Sequence, residues 1–135
     1  DEHVEFVVRR GHPLLDQPDI HHLGDWPVIF PPEAAAIRPL VERALVAQGV
    51  GEIATKVESV SGAFGRNYTL SNDAVWIISN GVVAKELDSG TLVRLPFDTS
   101  LTKGPVGLMA RADGQLSAAE SLFRHTLIAR TEALV

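Results

Sequence analysis

Cysteine is absent from the 135-residue chain, and methionine and tyrosine occur once each. Without thiols there is no disulfide framework, no thiolate zinc site and no cysteine nucleophile. Cysteine usage therefore leaves the redox compartment open. Basic residues are few, with 12 Lys and Arg against 17 Asp and Glu, and the net charge is −5. No Lys/Arg cluster offsets that balance, which argues against nucleic-acid binding by this chain itself. No apolar run approaches the ~18 residues of a membrane span. No charged-then-apolar leader opens the chain, so no signal peptide is predicted. Internal repeats and low-complexity stretches are lacking as well. What is present is a 45% apolar composition, far from that of a disordered chain. It fits one domain or a small two-part unit that buries roughly two-thirds of its unfolded surface.

The pattern along the chain alternates strands with helices. Val4 to Val8 reads as a strand, ended by Gly11 and Pro13. A polar connection with one helical turn at Asp19–Leu23 follows, Asp19 being its N-cap. Pro27 to Phe30 is a short apolar strand closed by Pro31 and Pro32. Ile37, Leu40, Val41, Ala44 and Leu45 mark one face of a helix from about Ala36 to Gln48, with Pro39 in its first turn and Gly49 at its end. Ile53–Glu58 reads as a third strand and Ser59–Leu70 as a weak helix diluted by glycine. Ala74–Ile78 is a buried strand, Val82–Leu87 a short amphipathic segment and Leu92–Leu95 another strand. Pro96–Lys103 is a loop, and Gly104–Arg111 a further extended run. Ser117 and Glu120 form a capping box for a last helix, whose apolar stripe is Ala119, Leu122, Phe123, Leu127 and Leu134. The alternation predicts an α/β sheet with crossover connections.

Two junctions could carry chemistry. At Pro31-Pro32-Glu33-Ala34-Ala35-Ala36-Ile37-Arg38 a buried strand feeds a helix through small residues, which let a ligand approach backbone N–H groups at the helix start. Ser61, Gly62, Phe64 and Arg66 repeat the arrangement after the next strand, with hydroxyl and backbone donors. The plain alternative is a strand–helix connection with Glu33 opposing the helix dipole, and an N-cap with a packing glycine. If the strands are neighbours, both helix starts face one crevice beyond the carboxyl ends of the sheet. No catalytic or metal site is predicted. His21 and His22 are adjacent and face different ways, and no His-x-x-x-His pair or Gly-x-Ser-x-Gly elbow occurs. Trp76 in its apolar strand reads as core.

Several phrases in this order resemble the effector-binding region of LysR-type transcriptional regulators. They are Val7-Val8-Arg9-Arg10-Gly11-His12-Pro13-Leu14, then Trp26-Pro27-Val28-Ile29-Phe30-Pro31-Pro32, then Arg38 opening a helix. Glu86-Leu87, Gly90, Leu92-Val93 and Leu95-Pro96 continue the likeness, as does Phe123 in the closing helix. Ile37-Arg38-Pro39, Val57 to Ser61 with Phe64-Gly65-Arg66, Ser71 to Ser79, and Gly104 to Leu108 are similar to the subgroup that governs protocatechuate catabolism. Galactose-responsive regulators stand beside it.

The resemblance implies an α/β fold: lobe two of a type-2 periplasmic-binding-protein-like effector domain, with a crossover strand and a terminal helix. Residues 1–26 would be the crossover strand and connection, 27–112 lobe two, and 113–135 the helix returning toward lobe one. It implies a cytoplasmic regulatory domain with no enzymatic activity, no cofactor and no membrane contact. Its partner would be a small-molecule effector, an aromatic-acid catabolite such as a carboxymuconate, held by the two helix starts with Arg38 or Arg66. DNA would be reached only through an N-terminal domain outside this chain. Glu33 would repel an anion unless it turns away and would suit sugar hydroxyls, so a sugar effector is the alternative. A lobe of a solute-binding protein is a further one. An uncovered edge strand and apolar surface predict a homo-oligomer.

Overall fold

The computed structural model describes residues 1–132. Five strands, β1 (Val4–Arg9), β2 (Val28–Phe30), β3 (Lys56–Glu58), β4 (Val75–Ser79) and β5 (Leu92–Arg94), form one sheet in the order β3-β2-β4-β1-β5. β2 runs parallel to both β3 and β4. β1 lies antiparallel between β4 and β5, with Phe6 opposite Ile77 and Val8 opposite Val93. The result is the expected α/β architecture, as a mixed sheet.

Side chains alternate across each strand, so the sheet buries two faces. Val4, Phe6, Val8, Val28, Phe30, Val75 and Ile77 pack under helix α1 (Arg38–Ala47) through Val41 and Leu45. Phe97 adds an edge-on contact to Phe6, with ring centroids 5.5 Å apart. Val7, Ile29 and Trp76 face the other way, with Leu92 and with Val83 of α3 (Asn80–Asp88). Tyr68 of α2 (Gly62–Ser71) packs beside them. Double coverage explains why the strands read as continuous apolar runs.

Local signals set the element ends. Pro31-Pro32 stops β2, and the Asp19 carboxylate accepts the His21 N–H at 2.9 Å to cap a 3-10 helix, Ile20–Asp25. Gly49 follows α1 with φ +72°, a conformation glycine adopts without a Cβ penalty. The Ser61 hydroxyl accepts the Phe64 N–H at 3.2 Å and so caps α2. The closing helix α4 (Ala118–Glu132) carries the expected capping box. Glu120 accepts from Ser117 N–H at 2.8 Å, and Ser117 Oγ accepts from Glu120 N–H at 3.3 Å.

Four expectations are corrected. The third strand begins at Lys56 rather than Ile53, because a bend at Ala54–Thr55 precedes it, although Ile53 is buried. Gly104–Arg111 is no strand. It makes one bridge, Gly104 with Glu2, and has no further strand to pair with among the described residues. The 96–103 loop contains a 3-10 turn, Ser100–Thr102, and the first connection contains another, Pro13–Leu15. The α4 stripe lies on the expected helix, with Leu122 and Phe123 exposed, Leu127 half-buried and no residue of the helix fully buried. Leu134, the stripe's last member, lies outside the described residues.

Candidate functional site

Because β2, β3 and β4 are parallel, their carboxyl ends share one end of the sheet. The two turns singled out above leave from there and touch. Ser59 N–H donates to the Phe30 carbonyl at 3.2 Å. Arg38 Nη1 donates to the Pro31 carbonyl at 2.8 Å and to Glu58 Oε1 at 2.7 Å.

The same bonds define what Arg38 does. Its guanidinium also pairs with Glu42 and lies over the Phe30 ring, 4.7 Å from the centroid. Only 11% of its side chain is exposed. Glu58 and Glu42 together hold it charged, pushing its pKa up. Arg38 is thus a strut joining α1, β2 and β3 rather than a free cation. Truncation to Ala should cost about 1–2 kcal/mol, discounted because both glutamates are half in water. Arg38→Lys should recover little of it, since one ammonium cannot serve three acceptors set around a planar fork. Chemical denaturation of the two variants checks this, and full rescue by Lys would contradict it.

Arg66 is likewise engaged. Its Nε donates to Glu86 at 2.7 Å and Nη2 to the Val82 carbonyl, and the Arg66 hydrogen bond holds the Glu86 carboxyl below its ordinary range. Phe64 stacks on Tyr68 at 5.3 Å and is partly exposed. A Cβ at Gly62 would press on Arg66 Nη1. The α1 start offers an anion fewer donors than expected, because Arg38 N–H is taken by Ala35 and Pro39 has none. Pro31 is buried in the turn, Pro32 and Ala35 are half-buried, and Glu33 and Ala34 face solvent.

A cavity of about 190 Å³ opens at this same end of the sheet. Ala36 and Ile37 line it, with Leu40 behind them. Its other walls are Glu2, His3 and Val4 leading into β1, Ser79 at the end of β4, and Thr102, Gly104, Pro105 and Val106, where the chain leaves the sheet. Of the twelve residues expected at a site, these two alone line it; Ser61, Gly62, Phe64 and Arg66 lie outside its walls. Its polar wall is tightly organised. Thr102 Oγ1 accepts the Val4 N–H at 3.0 Å and donates to the Thr99 carbonyl at 2.6 Å. Glu2 accepts the Gly81 N–H at 3.1 Å, at the first turn of α3. His3 Nε2 meets Glu5 Oε1 at 2.9 Å, and the same oxygen receives Arg94 Nε at 3.1 Å. His3, Ser79 and Thr102 escaped the sequence reading because only the fold gathers them. The available signal was their position at strand ends.

Among the described residues no cluster of three or more His, Asp or Glu could hold a metal, and no helix is long and apolar enough to cross a membrane.

Known proteins resemble this chain along nearly its whole length. The transcriptional regulator PcaQ of Agrobacterium fabrum is 46% identical over 129 residues, covering 93% of this chain and 41% of its own. YdcI, an uncharacterised transcriptional regulator of Escherichia coli, is 31% identical over 118 residues, covering 87% and 38%. The chain thus spans about two-fifths of the length of these relatives, which are transcriptional regulators rather than enzymes. Among solved structures, the regulatory domain of CcmR from Synechocystis, in complex with 2-PG, superposes with a TM-score of 0.67 at 19% identity, covering 96% of this chain and 63% of that one. That likeness shows the fold, the periplasmic-binding-protein-like lobe expected from the sequence. The model of the LysR substrate binding domain matches residues 1–132, and the chain belongs to that family.

Proposed function

We propose that this chain supplies one lobe of the effector-sensing domain of a LysR-type transcriptional regulator, and that the effector is a small aromatic-catabolism acid. The observation that carries this is the cavity at the carboxyl ends of the parallel strands. It is bounded by the α1 start and by the segment through which the chain leaves the sheet. At about 190 Å³ it is smaller than a ligand site of roughly 300–1,000 Å³. That is the size expected of half a cleft, closed by a second lobe outside this chain. α4 fits the same picture, because its exposed Leu122 and Phe123 need a surface that the described residues do not provide. On this reading residues 1–26 lead in from lobe one, 27–112 form lobe two, and 113–135 return to lobe one.

The resemblance to PcaQ favours an aromatic-acid catabolite over a sugar. The protein would work in the cytoplasm as a homo-oligomer, touching DNA through an N-terminal domain. Effector binding between lobes would favour one closure angle, and the resulting population shift would reposition the DNA-binding domains. Such a shift requires different affinity for the two closures.

The test is a panel of aromatic acids and sugars with the full-length protein. An aromatic acid at a hundred times its Kd should add about 2.7 kcal/mol of stability, raise Tm and alter operator binding. Unchanged Tm and operator binding across the acids would refute the proposal, and a response to sugars alone would favour the sugar reading.

A further inference from the structure

This inference rests on the effector reading above and asks which end of an aromatic acid this lobe takes. The polar side chains of the cavity wall belong to Glu2, His3, Ser79 and Thr102. Glu2, His3 and Thr102 are already engaged. Thr102 Oγ1 accepts the Val4 N–H and donates to the Thr99 carbonyl. The His3 ring pairs with Glu5, which alternation along β1 puts on the sheet face opposite Val4. The Glu2 carboxylate takes the His3 N–H and the Gly81 N–H, both at 3.1 Å.

Ser79 differs from all three. It stands opposite Val4 in the β1–β4 pair and two residues beyond Ile77, so its side chain leaves the sheet on the face covered by α1. On that face Val4, Ile37 and Leu40 wall the cavity. Ser79 occupies the N-cap position of α3, yet its hydroxyl makes no cap bond there and has no partner among the described residues. The Asn80 N–H goes instead to the His3 carbonyl at 2.9 Å. A hydroxyl free to donate and to accept is thus set among apolar side chains. Charge decides what it can meet. Among the described residues neither Lys nor Arg lines the cavity, Arg38 and Arg66 being committed to glutamates. A carboxylate against this wall would find the negative Glu2 and no cation to offset it, at the cost of its own hydration. A neutral ring edge bearing a hydroxyl finds apolar contact and one matching polar atom. We propose that Ser79 Oγ hydrogen-bonds a ring hydroxyl of the effector, and that the effector's carboxylate points away from this wall toward the second lobe.

The experiment is calorimetry on the full-length protein with three acids. They are 3,4-dihydroxybenzoate, benzoate, which keeps the ring and carboxylate but lacks the hydroxyls, and cis,cis-muconate, which has two carboxylates and no hydroxyl. The dihydroxy acid should bind about ten times more tightly than either of the others. Ser79→Ala should weaken it about three- to tenfold and leave benzoate within about twofold. Ser79→Thr keeps a hydroxyl and should restore most of the loss, which separates a missing hydrogen bond from any fall in Tm of the alanine variant. Muconate bound as tightly as the dihydroxy acid overturns the inference and leaves the effector reading standing. So does an alanine variant that binds the dihydroxy acid normally, or one that weakens benzoate equally. Binding of none of the three by a normally melting protein overturns the effector reading, and this inference with it.

Discussion

Replacing Gly65 with alanine should destabilise the chain by about 2–3 kcal/mol. In an ordinary helix the same exchange stabilises by up to ~1 kcal/mol, because alanine has less backbone entropy to lose. Here the sign reverses, since a Cβ at Gly65 would overlap the six-membered ring of Trp76. Trp76 is fully enclosed in the middle of the sheet and cannot give way without disturbing Val7, Ile29 and Leu92. The remaining escape is for α2 to lift off the sheet. A double-mutant cycle isolates the cause. Trp76→Phe removes the ring atoms in question, so Gly65→Ala should cost at least 1 kcal/mol less in that background. Strict additivity would place the strain elsewhere.

His12→Ala should cost about 3 kcal/mol, and the unaltered protein should lose stability in mild acid. His12 is 1% exposed and packs edge-on against Trp26, ring centroids 4.7 Å apart. Its Nδ1 accepts the Leu14 N–H at 3.1 Å and caps the Pro13–Leu15 turn. Truncation removes that cap and leaves a void beside Trp26. In the neutral ring the proton sits on Nε2, which has no hydrogen-bond partner. A second proton would have to go on Nδ1, where the Leu14 N–H already points. Burial therefore pushes the His12 pKa below its ordinary 6.5, with Arg9 adding to the fall and the Asp73 backbone and carboxylate opposing it. A depressed pKa in the folded state means the unfolded chain takes up the proton first. This contribution to stability is complete above pH 6.5 and declines as pH falls below it toward the folded value. Urea titrations across that range should show the decline in the unaltered protein. They should show a flatter profile in His12→Asn, whose side-chain oxygen can keep the cap without titrating. Identical slopes in the two proteins would rule His12 out as the origin.

Much of the architecture could be read from residue order because local chemistry decided it. Pro31-Pro32 cannot continue β2, Asp19 and Ser61 meet orphan amides, and Ser117 with Glu120 closes a reciprocal cap. Misreadings arose where a neighbour decides the outcome. Gly104–Arg111 reads as an extended run but has no strand beside it beyond Glu2, and the connections at 13–15 and 100–102 tighten into 3-10 turns. Arg38 and Arg66 are cations at helix starts, which suits anion capture. Arg38 has a local partner in Glu42, four residues on, but Glu58 and Glu86 stand twenty residues from Arg38 and Arg66, so those two ion pairs left no local signature. The cavity was hardest to foresee, since its walls come from positions as distant as His3 and Thr102. Ala36 and Ile37 were legible because their turn is itself a local motif.

The interior position of β1, between β4 and β5, has a consequence for biosynthesis. β1, made before the other four strands of its sheet, finds its partners in β4 and β5, with Val4 opposite Ser79 and Val7 opposite Arg94. Until those residues emerge, Val4-Glu5-Phe6-Val7-Val8 remains an unpaired, β-prone apolar segment open to self-association. Nascent chains stalled before residue 75 should therefore need a holdase to stay dispersed, whereas chains released past residue 94 can thread the strand into its slot and hide it.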